Sequence, residues 1–358
     1  NAISGLGFSP SFIWLKERSG TDRHVLSDIL RGVDSQLSSN SNAAETTFAS
    51  NLDSFDTDGF TLGSATETNG NGETYVSWNW KANSIPTINT DGTIQSIVSA
   101  NANSGFSILK YTGNGNASQT VGHGLSAAPE LIIAKANITS SWVVYSSTAG
   151  TDKFLELNDS AAEQTSSNYW GTSSPSATTF GVAPSNSNNN STGNEVFAYC
   201  FTSISGFSKI GTYSGSASAV SVDTGFQASF VMIKRTDTGS SFWNIFDSAR
   251  GGDKRLYPNS SNAETDETSD YVTFDSDGFN VDITSNSDLN QSGGTFLYMA
   301  FKENPAQYAI PSGEMGYLVA AGGGGSSADS GGGAGAGGGG LRTTYGLSSG
   351  GGSSAETN

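Results

Sequence analysis

Three runs of sequence recur in the same order at nearly constant spacing, and this self-similarity constrains the chain more than any other property. Phe12-Ile13-Trp14-Leu15-Lys16 returns as Leu131-Ile132-Ile133-Ala134-Lys135 and as Phe230-Val231-Met232-Ile233-Lys234. Thr74-Tyr75-Val76-Ser77-Trp78-Asn79-Trp80-Lys81 returns as Glu195-Val196-Phe197-Ala198-Tyr199-Cys200-Phe201-Thr202 and as Thr295-Phe296-Leu297-Tyr298-Met299-Ala300-Phe301-Lys302. Between them, Asn42-Ala43-Ala44-Glu45 matches Ser160-Ala161-Ala162-Glu163 and Ser261-Asn262-Ala263-Glu264. The offsets are about 120 and about 100 residues each time, which describes three copies of one module.

Both ends of a module read as strands. Val76, Trp78 and Trp80 alternate with Tyr75, Ser77 and Asn79, and the same slots hold Phe197, Tyr199, Phe201 and Leu297, Met299, Phe301. A period of two places these large apolar residues on one face against a core. The opposite slots, with Ala198, Cys200, Tyr298 and Ala300, are only partly polar, so this strand belongs in the middle of its sheet. The Phe12 to Leu15 run is apolar throughout, as a strand covered on both faces requires. Asp58-Gly59, Asp277-Gly278, Asp91-Gly92 and Asn114-Gly115 supply turn residues, and no stretch has a convincing helical period. The expected fold is all-β: three tandem β-sandwich, jelly-roll-like modules followed by a glycine-rich segment.

The expected boundaries are 1–82 for the first module, 83–104 for a polar linker, 105–204 and 205–305 for the second and third modules, and 306–358 for the glycine-rich part. Copies two and three open with Gly105-Phe106-Ser107 and Gly206-Phe207-Ser208, whereas only eleven residues precede Phe12. The first copy is therefore expected to lack its opening strand, and sequence is expected to precede Asn1. Twelve of the twenty residues 321–340 are glycine. Tyr317-Leu318-Val319-Ala320 reads as a strand feeding that tract, which favours ordered packing over a plain flexible linker.

Composition excludes several function classes. A net charge of −17, from 33 Asp and Glu against 16 Lys and Arg, opposes nucleic-acid binding, which depends on cations displacing phosphate counterions. One cysteine, Cys200, excludes an intrachain disulfide framework. No apolar run is long enough to span a bilayer as a helix, so no membrane insertion is expected.

The chemistry-bearing candidates are few. Phe-Asp-x-Asp-Gly-Phe occurs twice, and Asp56, Asp58, Asp275 and Asp277 resemble the start of a calcium loop. No bidentate Glu follows and the middle copy lacks the motif, so a hairpin turn is the preferred reading. His24 aligns with Trp142 and Trp243, which puts it at a core-facing strand position; His123 sits in a glycine-flanked loop. Two histidines in different modules and one cysteine do not make a zinc site, and no nucleophile elbow accompanies either histidine. Glu45, Glu163 and Glu264 are the acids common to all copies, and a repeated acid reads as a module-stabilising acceptor before a glycosidase pair. Five tryptophans lie in apolar runs, whereas Trp170, beside Tyr169 in the polar stretch 166–174, is the candidate for glycan contact. No cofactor is expected.

The modules, with Phe-Asp-Ser-Asp-Gly-Phe at 274–279, Leu256-Tyr257-Pro258-Asn259-Ser260-Ser261-Asn262-Ala263-Glu264 and Tyr298-Met299-Ala300-Phe301-Lys302-Glu303-Asn304-Pro305, resemble the repeat domains of tail-fibre and related virion proteins of marine, cyanobacterial-type bacteriophages. The segment Tyr317-Leu318-Val319-Ala320-Ala321-Gly322, with its glycine runs and Leu341-Arg342-Thr343, resembles the glycine-rich domain of phage fibres and adhesins. The resemblance brings no catalytic residues. It implies a virion location, a non-enzymatic structural and adhesive role at the host surface, and homo-oligomerisation, usually as a trimer. The implied partners are other virion proteins and a host cell-surface glycan or protein. The rivals are a polysaccharide depolymerase of the virion and a bacterial extracellular filament or adhesin.

Overall fold

The computed structural model describes residues 1–83, 85–183 and 188–302, together with the backbone of 317–322. The fold is all-β, with one four-residue helix, Thr66–Asn69, among the described residues. The strand that ends each module is central in its sheet, as its two-sided apolar pattern predicts. Glu195–Phe201 lies between Phe106–Thr112 and Leu131–Ala136, and Thr295–Phe301 lies between Ser208–Ser214 and Phe230–Arg235, all antiparallel. The next strands outward are Val143–Ser146 and Trp243–Asp247, whose counterpart in the first module is Val25–Asp28.

The first module departs from expectation in an informative way. Its closing strand, Tyr75–Trp80, pairs on one side with Phe12–Glu17 and on the other with Tyr317–Gly322. The opening strand expected to be missing is thus supplied from beyond the third module. Tyr317 stands opposite Trp80 as Phe106 stands opposite Phe201, and each begins after a glycine. Six consecutive partners, from Tyr317↔Trp80 to Gly322↔Tyr75, satisfy an edge that would otherwise present unpaired N–H and C=O groups. The strand read at Tyr317 to Ala320 is therefore present, and the glycine tract after residue 322 lies outside the described residues.

A small second sheet covers the outer face of each main sheet. It comprises Ala2–Ser4, Gly59–Leu62 and Leu52–Asp56 in the first module, Gln119–Gly122 with Thr179–Val182 in the second, and Val220–Asp223, Gly278–Val281 and Val272–Asp275 in the third. Gly59 and Gly278 permit this closeness, since a Cβ there would fall 1.9 Å from the Ile3 carbonyl oxygen and 2.0 Å from that of Val222. The stretch expected to be an extended linker also folds. Thr87–Asn89 and Ser96–Asn101 add two strands to the edge of the second module's main sheet, with Val98 buried and Ile88 facing solvent.

The inner faces decide the architecture. Phe12, Trp14, Trp78 and Trp80 of the first module, Leu131, Ile133, Tyr199 and Phe201 of the second, and Phe230, Met232, Met299 and Phe301 of the third belong to one buried cluster. The tandem modules do not keep separate inner cores: the three main sheets pool their inner faces, and each keeps only a satellite core under its outer sheet. At the centre Trp80 makes edge contacts with Phe201, Phe230 and Phe301 at 5.8–6.3 Å, so rings from all three modules meet. Burial of this many large rings is the dominant favourable term in holding the modules together.

Candidate functional site

The modules meet at three junctions, and each junction repeats one set of bonds. The backbone N–H of the repeated glutamate donates to a carbonyl of the next module: Glu45 to Asn137 at 3.2 Å, Glu163 to Thr236 at 2.9 Å and Glu264 to Arg18 at 2.9 Å. The next link uses the slot shared by His24, Trp142 and Trp243. Trp142 Nε1 donates to the Ser38 carbonyl and Trp243 Nε1 to that of Glu156, while His24 Nε2 meets the Tyr257 carbonyl at 2.9 Å. The Trp14 indole donates to His24 Nδ1 at 2.9 Å, so that nitrogen carries no proton and Nε2–H is the donor. His24 therefore imitates an indole N–H. Full burial first, and the nearby Lys16 charge second, push its pKa down to about 3 and keep it neutral. In the same three places Asn40, Asn158 and Asn259 accept the slot residue's backbone N–H through Oδ1 at 2.9, 2.7 and 3.0 Å.

Two junctions carry a buried ionic clasp and the third does not. Asp28 and Arg31 pair at 2.6 Å, and Asp247 and Arg250 at 2.5 Å, all four side chains fully buried. The neighbouring module completes each clasp: Tyr199 OH donates to Asp28 at 2.8 Å, and Trp78 Nε1 donates to Asp247 at 3.1 Å. Glu264 then bridges Arg250 and Arg18 at 2.8 and 2.7 Å. Burial works against the Arg250 charge, but the Asp247 and Glu264 carboxylates more than offset it and raise the pKa. Where the second module meets the third, the aspartate position is Ser146, the arginine position is Ala149, the Arg18 position is Thr236, and the donor position is Met299.

At this open junction lies a cavity of about 430 Å³. Ser146, Thr148, Thr236 and Thr295 line it alongside Leu155 and Leu297, each of which keeps only 2% of its surface exposed. The Lys153–Glu163 pair at 2.7 Å spans its rim; the Glu163 carboxylate raises the Lys153 pKa by hydrogen bonding first and by charge second. The central axis is closed by comparison: the void among Phe12, Trp80, Tyr199 and Met299 is about 10 Å³.

The lysine that ends each repeated apolar strand is buried near these junctions. Lys16 Nζ donates to the carbonyls of Glu17 and Gly20, Lys135 to those of Ala136 and Ile138, and Lys234 to those of Ser160 and Ser241. Burial is the largest influence on each and lowers all three pKa values to about 8. Their identity in all copies was the available sequence signal. The clasps were likewise visible as Asp-x-x-Arg in two copies and absent from the third.

The residues singled out from sequence fall elsewhere. Asp56 and Asp58, and Asp275 and Asp277, sit at hairpins joining strands with Phe55 opposite Phe60 and Phe274 opposite Phe279. Asp58 accepts the backbone N–H of Gly5 and Gly7, Asp56 the hydroxyls of Ser54 and Thr61, and Asp275 the amide of Asn280. Among the described residues no group of three His, Cys, Asp or Glu gathers as a metal site. The expectation of an exposed ring at Trp170, beside Tyr169, is corrected. Trp170 is 1% exposed, with Tyr145 and Phe180 edge-on at 5.8 and 6.4 Å, because the polar stretch around it folds back over the satellite core. Tyr169 packs on Phe154 with ring centres 4.0 Å apart. His123 is buried, contacting the Ser176 carbonyl through Nε2, and burial lowers its pKa to about 4. Glu45, Glu163 and Glu264 lie one at each junction, so they do not face one groove.

The model of a family described as a domain of unknown function, DUF7483, matches residues 1–305. No curated protein and no solved structure matches the chain.

Proposed function

The chain belongs to the DUF7483 family, and we propose that this member is a non-enzymatic structural and adhesive segment of a bacteriophage fibre. One observation carries the reading furthest. Three sheets bury their inner faces in a single core and lock to one another through repeated junction bonds, so the loops of all three modules hold fixed mutual positions. A rigid body of this kind suits load-bearing and multivalent contact, in which several weak contacts add through effective concentration. The resemblance of the repeat and of the glycine-rich tract to phage fibre domains supports the virion setting. The −17 charge supports solubility in a high-copy surface protein. The partners under this reading are further copies of the chain, other virion proteins and a glycan or protein of the host surface.

The test is direct. Antibody labelling of purified particles locates the chain, and the full chain is assayed for binding to host cells with and without added surface polysaccharide. Fibre-tip labelling and competable binding are expected, with no release of reducing ends. Absence from the particle, or steady release of reducing ends from host polysaccharide, would overturn the reading.

A further inference from the structure

We propose that the cavity between the second and third modules binds a neutral saccharide of one or two rings. The inference rests on the adhesive reading and assigns it a site.

The internal symmetry of the molecule supplies the argument. Its two sister junctions show what this position holds when it is closed: Arg31 or Arg250, fully buried and clasped to an aspartate. Here four changes occur together, two in each module. Ser146 and Ala149 remove the clasp, Met299 replaces the indole or phenol donor, and Thr236 lacks the second guanidinium that Arg18 supplies at one sister, where the other has Asn137. The backbone does not collapse into the space, since Gly150 N–H still bonds the Ser146 carbonyl at 3.0 Å as Gly32 bonds Asp28. The junction bonds of Glu163 and Trp243 are likewise kept at 2.9 Å. A cavity of about 430 Å³ persists, within the range of small-molecule sites.

Its lining selects the ligand chemistry. Every charge at the rim is already balanced: Lys153 by Glu163, and Asp237 by the Arg235 guanidinium at 2.9 and 3.0 Å. A phosphate or an ammonium would meet no uncompensated partner, whereas paired charges still accept and donate hydrogen bonds to hydroxyl groups. The walls are rich in serine and threonine hydroxyls that act both as donor and acceptor. A polyhydroxylated neutral ring uses both properties.

The experiment is saturation-transfer NMR on the full chain with D-glucose, D-galactose, D-mannose, N-acetyl-D-glucosamine, maltose and lactose as probes, at concentrations on the order of millimolar. Two variants block the cavity by different routes: S146D/A149R installs the sister clasp, and Thr236→Arg fills it from the third module. At least one probe is expected to bind the parent chain, and both variants to weaken it by about tenfold or more with the thermal midpoint retained. Binding unchanged in a folded variant, or no binding of any probe, overturns the proposal; if one variant fails to fold, the other decides. Cell adhesion is measured in parallel. Saccharide binding lost while cell adhesion persists supports the cavity and places adhesion on another surface. Saccharide binding by a chain that never attaches to cells supports the cavity and removes the adhesive reading instead.

Discussion

The junction between the third and first modules and the junction between the second and third use the same backbone bonds but opposite interiors. One is filled by Arg250, Asp247, Glu264 and Arg18 in a closed ionic network; the other is an open, hydroxyl-lined cavity. Both hold, which shows that the ring is secured by the shared apolar core and the repeated backbone and indole bonds. The clasp is then a filling that one junction has and another lacks. Burying a charged pair carries a desolvation cost that good geometry only repays, so exchanging the whole clasp for small neutral residues is feasible, while removing one partner is not.

The sharpest way to break this comparison is to unbalance the filled junction. Asp247→Ala leaves Arg250 and the Trp78 indole without a shared acceptor and is expected to cost about 3–5 kcal/mol in denaturant unfolding. The double change D247S/R250A, which copies the open junction, is expected to cost less than that single change; a larger loss would mean that the clasp itself holds the ring. The next effect concerns closure. Deleting 317–322 strips the antiparallel partner from Tyr75–Trp80, at a cost on the order of 3 kcal/mol for the lost ladder. Hydrogen exchange should show lost protection in the first module's closing strand and little change in Glu195–Phe201, whose neighbour Phe106–Thr112 comes from its own module.

A pH titration separates the histidine junction from the two tryptophan junctions, with an effect that is small near neutrality and grows only on acidification. His24 is neutral in both states above pH 6.5; below that the unfolded chain takes up a proton that the folded chain refuses until about pH 3. The unfolded state then binds more protons, so stability falls with acidification across that window, by up to about 1.4 kcal/mol per pH unit for one group. W14I/H24W gives the first junction the pattern of the other two and is expected to flatten that fall; an unchanged acid profile would sink the assignment. The buried lysines act with the same sign in a more alkaline window, and alike at all three junctions. Folded pKa values near 8 against 10.5 mean that stability rises with pH over the lower part of that interval, before the tyrosines begin to titrate in the unfolded chain.

The repeat made much of this legible. Alignment of the copies placed His24 with Trp142 and Trp243, and the structure makes the three equivalent donors. It also put the closing strand in the sheet centre, because Ala198, Cys200, Tyr298 and Ala300 are too apolar for a solvent face. Trp170 was misread because its neighbours in sequence are polar. Burial is set by what folds over a residue, here a satellite core built from Phe180 and Tyr145. The open junction could be read only after the modules were seen to touch, since its lining joins Ala149 to Thr236 and Leu297 across two copies.

Local pattern fixes backbone period and the side of the strand on which each apolar residue lies, and so the sequence alone determined an all-β chain of three equivalent modules. Hydrophobic burial is non-directional, and a pattern does not say what covers an apolar face. Only the tertiary structure decided that three inner faces cover one another in a single core, and that Tyr317–Gly322 closes a sheet begun at Phe12. Those outcomes depend on contacts between residues hundreds of positions apart, which no window of sequence contains.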